Sequence, residues 1–180
     1  MTTQTEYLAQ ILRTADTFEG AKEHSKNDGP EIRLFLSTLG RKLDPVQWCA
    51  ITVGGIFYLA AQRLRLTCGV KHSSGAVRMF HRNPKHQIQW HELGKLTPGC
   101  SFHRVRDKAN TAKCRKPDGD AEGHAGILVE YLGDNLWKTF EGNTAPSNEN
   151  DDGDGAYYKT IDVTDPRIVG FLKPTGTAEK

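Results

Sequence analysis

The chain has 180 residues, 37% of them hydrophobic and 26% charged, which suits one globular domain with its own core and argues against two full ones. Its 24 Lys and Arg against 22 Asp and Glu leave a net charge of +2, too small and too scattered to imply a nucleic-acid partner. No apolar run approaches the roughly 18 residues of a membrane helix, and no basic-then-apolar leader opens the chain, so synthesis in the cytoplasm without a signal peptide and without a membrane partner is expected.

Tyr7, Leu8, Ile11, Leu12 and Ala15 recur at helical spacing, and Thr3 with Glu6 fits a capping box, which predicts a first helix over residues 4–18. Gly29-Pro30 starts a second, over 30–39, with Ile32, Phe35, Leu36 and Leu39 on one stripe and Gly40 as its stop. Asp44-Pro45 then breaks the chain. From Val46, the residues Cys49, Val53, Ile56, Phe57, Ala60 and Leu64 share a face over nearly five turns, putting Cys49 in the first turn of a third helix.

Residues 67–122 carry five histidines, many Lys and Arg, and little periodicity, and read as loops and short elements, with Ser101–Val105 a short strand after Pro98-Gly99. The period then changes. Gly123–Tyr131 is a dense apolar run, Gly133-Asp134-Asn135 a turn, and Leu136–Phe140 a second extended run, together a hairpin. Ala156–Val163 and Ile168–Leu172 add two strands, and residues 173–180 read as a short polar tail. Helices first and an antiparallel sheet afterwards make an α+β fold.

The order Cys49, His124, then Glu141 or Asn143 is what a thiol nucleophile needs: a base to take its proton and a third group to fix that base's tautomer. The unpaired N–H groups of a helix start favour thiolate over thiol at Cys49. The same groups can hold an oxyanion, with Gln47 or the neighbouring Trp48 as further oxyanion or substrate contacts. His124 lies between Gly123 and Gly126, whose small size lets another element approach, as suits a base at a sheet edge facing a helix terminus. Glu141 and Asn143 share a face by strand alternation, and hairpin register brings one of them beside His124. The bland alternatives are a buried core cysteine and a hydrogen-bonded structural histidine.

The other cysteines, Cys68, Cys100 and Cys114, are too few for a disulfide framework and read as reduced thiols. With His72 and His103 they match no standard zinc spacing, and no metal is assigned. The acidic stretch Asn148 to Gly155 lacks the alternating ligands of a calcium loop and reads as solvated. The basic stretch 103–116 is either ordinary surface or the approach for an anionic glycopeptide.

Asn27-Asp28-Gly29-Pro30-Glu31-Ile32, Trp48-Cys49-Ala50, Gly123-His124-Ala125-Gly126-Ile127, Glu141-Gly142-Asn143-Thr144, Gly153-Asp154-Gly155 and Val169-Gly170-Phe171, in that order, resemble the CHAP family of cysteine amidohydrolases and peptidases over about residues 5–174. The resemblance implies a papain-like α+β fold and hydrolysis of an amide bond in peptidoglycan. The bond would be that between the lactyl group and L-alanine, or one in the stem peptide or cross-bridge. It makes Cys49 the nucleophile, His124 the base, Glu141 the orienting group and Asn143 a supporting one, with no cofactor and a monomeric state. A phage lysin or a secreted toxin, the latter with an immunity protein as partner, fits a leaderless chain acting on the cell wall after release or export. The rivals are a wall-binding module without catalysis, a thiol amidase or transferase with a non-wall substrate, and a metal-held structural domain.

Overall fold

The computed structural model describes residues 3–41, 47–116, 119–146 and 153–178. Helix α1 (Gln4–Asp16) starts on the Thr3–Glu6 capping box, both reciprocal bonds being formed. Helix α2 (Pro30–Thr38) places Pro30 in its first turn, where the missing N–H costs nothing. Helix α3 (Cys49–Arg63) begins at Cys49, later than the sequence suggests; residues 42–46, including the Asp44-Pro45 break and Val46, lie outside the described residues.

Beyond α3 come β1 (Leu66–Cys68), α4 (Ala76–His81), β2 (Gln87–Gln89), β3 (Ser101–Val105) and α5 (Thr111–Cys114). They are followed by β4 (Gly123–Gly133), β5 (Leu136–Thr144), β6 (Gly155–Asp162), β7 (Ile168–Leu172) and β8 (Gly176–Ala178). Six strands form one antiparallel sheet in the order β2-β7-β3-β4-β5-β6. Helices at the N-terminus packed on a C-terminal antiparallel sheet make this an α+β protein. The β4–β5 hairpin closes through Asp134 and Asn135, both left-handed (φ 48° and 63°), the pairing that lets a two-residue turn follow the strands' twist.

The chain end departs from the polar tail expected. Gly176–Ala178 pairs with Leu66–Cys68 as a second, two-stranded sheet, held by backbone bonds that three weakly patterned residues do not advertise. Strand β2 escapes the sequence reading for the same reason.

Helix α3 is buried all round rather than on one stripe: Ala50, Ile51, Thr52, Gly54 and Gly55 are covered as well as Cys49, Val53, Ile56 and Phe57. It lies between α1 and α2 on one side and β4 and β5 on the other, at the centre of the main core with Tyr7, Phe35, Ile127 and Phe140. A second apolar cluster, containing Ile88, Phe102, Leu128, Trp137 and Phe171, covers the rest of the sheet. His124 is the second residue of β4, an interior strand, so it sits near the end of a strand and not on a lateral edge of the sheet.

Candidate active site

Cys49 is the first residue of α3, and Trp48 before it supplies no side-chain cap, so the first-turn N–H groups remain open to a thiolate or an oxyanion. Burial pushes the Cys49 thiol up, but the His124 ring and the backbone N–H groups of Ala125 and Ala50 outweigh it and bring its pKa below the ordinary value.

His124 Nε2 and Glu141 Oε2 are 2.7 Å apart, both residues fully buried. The second carboxylate oxygen accepts from Thr139 Oγ1 at 2.6 Å, so Glu141 is held from both sides. Nδ1, the other ring nitrogen, completes no hydrogen bond among the described residues. Burial disfavours the imidazolium, yet Cys49 and then Glu141 raise the His124 pKa to about 9. Burial likewise pushes Glu141 up, and His124, Thr139 and the Arg104 charge bring it down below the usual range. The three groups therefore favour thiolate, imidazolium and carboxylate together.

Two glycines make this meeting sterically allowed. Gly126 pairs with Glu141 across the β4–β5 ladder, and a Cβ there would lie 2.6 Å from Glu141 Cγ. Glu141 can thus fold diagonally over Gly126 to reach His124. A Cβ on Gly142 would lie 2.2 Å from Thr52 Oγ1 and 2.8 Å from Trp48, so its absence lets the start of α3 press onto β5.

Asn143 is 4% exposed and left-handed (φ 58°), in a bulge where the β5–β6 register shifts. Simple alternation therefore stops at Gly142, and it is Glu141 whose carboxylate meets the ring. Trp48 is a core side chain whose Nε1 donates to Glu23 Oε1 at 2.6 Å. Gln47 lines a concavity of about 380 Å³ together with Ser74, Ala76, Arg78, Glu122 and Gly123. Cys49 itself is only 1% exposed and does not line that concavity; its Sγ lies 3.9 Å from the carbonyl oxygen of Gly123, a residue that does. The cause is the closeness of α3, β4 and β5 that the glycines permit.

Thr139 escapes the sequence reading, and His103 is weighed there only as a zinc ligand and as part of the basic stretch. Thr139, two positions before Glu141 on the same face, is visible in hindsight by strand alternation. His103 is fully buried, its Nδ1 donating to the Ala76 carbonyl at 2.8 Å and its Nε2 accepting from Ser101 Oγ at 2.9 Å. Burial holds its pKa down at about 4, so it is a neutral structural histidine supporting α4 beside the concavity. Among the described residues no three His, Cys, Asp or Glu side chains are gathered as a metal site; most of the acidic stretch lies outside those residues. No helix among the described residues is long and apolar enough to cross a membrane.

No family model matches the chain, and no curated protein matches its sequence. Among solved structures it is similar to NlpC1 from Trichomonas vaginalis, with a TM-score of 0.44 and 14% identity over 92% of this chain and 43% of that one. The chain thus spans less than half the length of that protein.

Proposed function

We propose that the chain is a papain-like cysteine hydrolase of the CHAP type that cleaves an amide bond in peptidoglycan. The observation that carries this reading is the 2.7 Å contact of His124 with Glu141, which leaves Nδ1 uncommitted next to a helix-start cysteine of lowered pKa. A core cysteine and a structural histidine, the bland alternatives, have no need of such coupling.

In this mechanism the Cys49 thiolate attacks the scissile carbonyl carbon, and the carbonyl oxygen becomes an oxyanion held by the Cys49 N–H with Gln47 nearby. The imidazolium of His124 gives its proton to the leaving nitrogen, the C–N bond breaks, and a thioester remains on Cys49. A water molecule, losing a proton to His124, then attacks the thioester and releases the carboxylic acid product. Glu141 holds the ring's tautomer throughout, with Asn143 in support. In this reading the substrate lies in the Gln47–Gly123 concavity, whose Gly123 borders the Cys49 sulfur. The enzyme works as a monomer on the wall after release or export, as a lysin or as a secreted toxin with an immunity partner.

Digestion of purified peptidoglycan, followed by mass spectrometry of the soluble fragments, tests the reading. New amine and carboxyl termini should appear with the wild-type protein and vanish with Cys49→Ala at unchanged thermal stability. Fragments released equally by Cys49→Ala would overturn it.

A further inference from the structure

The C-terminal end of α4 carries a feature that Cys49 chemistry does not use. A concavity of about 290 Å³ is lined there by Gly69, Lys71, Arg82, Asn83, Lys85 and His86, with Pro84 between. It holds three permanent positive charges and no carboxylate, in a chain whose whole net charge is +2. Lys71, Arg82 and Lys85 are exposed, and none of them forms an ion pair among the described residues. The Arg78 and Gly75 side of α4 lines the other concavity, so about 9 Å of helix separates the two ends.

The backbone that presents these charges is fixed. Asn83, 3% exposed, accepts from the Lys71 N–H at 2.6 Å and donates to the Lys71 and Met79 carbonyls at 2.8 and 2.7 Å. His86 Nε2 donates to the Gly69 carbonyl at 3.1 Å, and its own carbonyl accepts from Lys173 N. The backbone thereby sets three like charges around one hollow, where an anion would lower their mutual repulsion. The same field is felt next door: burial first, then the charges of Arg41 and Arg82, hold the His72 pKa below its ordinary value.

We propose that this hollow is a phosphate-binding site, taking the phosphate of a small ester or of an alcohol-phosphate polymer. One carboxylate would neutralise a single cation, whereas a phosphate carries up to two charges on oxygens that can meet Arg82 and both lysines at once. The volume admits the phosphate and the first atoms of its carrier. The site is independent of the Cys49 reading.

Calorimetric titration of the full chain with inorganic phosphate, and separately with poly(glycerol phosphate), tests this. Saturable binding of phosphate is expected, weakened about tenfold or more by Arg82→Glu and by Lys85→Glu, and unchanged by Lys113→Glu on α5 or by Cys49→Ala. Tighter binding of the polymer per phosphate assigns the site to a polymer; equal binding assigns it to a small ester. Absence of saturable binding, equal loss in Lys113→Glu, equal affinity for a tricarboxylate, or tighter binding of an oligonucleotide than of the glycerol polymer would overturn the proposal. Thermal melts of the charge-reversal variants, expected to match wild type, separate lost binding from lost fold.

Discussion

Gly126 faces Glu141 across the β4–β5 ladder, and the space left by its missing side chain is what the Glu141 side chain fills on its way to His124. Local backbone chemistry thus sets the geometry of the buried triad. Gly126→Ala should force Glu141 aside, at about 1–3 kcal/mol of stability for overpacking and a larger loss of hydrolysis. Melting curves and hydrolysis rates measured on one preparation check this; full activity in a destabilised variant would contradict it.

Thr139 positions Glu141 through its 2.6 Å hydrogen bond. Thr139→Val should lower kcat about tenfold, the effect of one lost hydrogen bond to a charged group, with KM little changed. It should also lower the pH at which activity falls on the alkaline side, because a less firmly held carboxylate supports the imidazolium less. Thr139→Ser should restore both, which a purely structural role would not require.

Activity should depend on pH as an ion pair does. It should rise as Cys49 ionises, below the ordinary thiol range, and fall as His124 loses its proton through about 9. His124 binds its proton more tightly folded than unfolded. Its contribution to stability is therefore fully present below 6.5 and lost as pH rises through about 9. A kcat/KM profile together with melts across this window checks both signs.

His103 behaves oppositely. Its folded pKa of about 4 lies below the ordinary 6.5, so the unfolded chain takes up the proton first and stability drains away as pH falls from 6.5 to 4. By linkage the loss is about 3 kcal/mol. His103→Gln should flatten the acid limb of a denaturation series; an unchanged limb would show that other groups carry it.

Much of this was legible in the residues themselves. The Thr3–Glu6 pair fixes the start of α1, Pro30 that of α2, and Gly133-Asp134-Asn135 the hairpin turn, because each is a local rule acting within four residues. Cys49, His124 and Glu141 were legible by chemical type and order, and the contact of His124 with Glu141 follows from strand register. What stayed hidden depends on distant partners. Strands β1 and β8 pair across more than 100 residues with only three residues each, and the bulge at Asn143 breaks the alternation on which its placement relied. Burial of Cys49 was hidden because the close approach of α3 to β5 is set by Gly142 against Thr52 and Trp48, a tertiary fit without sequence periodicity.

The most direct test of the thiolate–imidazolium pair is the pH titration of thiolate absorbance in the ultraviolet, wild type minus Cys49→Ser, repeated on His124→Ala. The difference signal should ionise below the ordinary thiol value of 9.0 and move above it when His124 is removed, since only the Ala125 and Ala50 N–H groups then oppose burial, the largest single influence on the thiol. A midpoint at or above 9.0 in the wild type, indifferent to His124→Ala, would contradict the account.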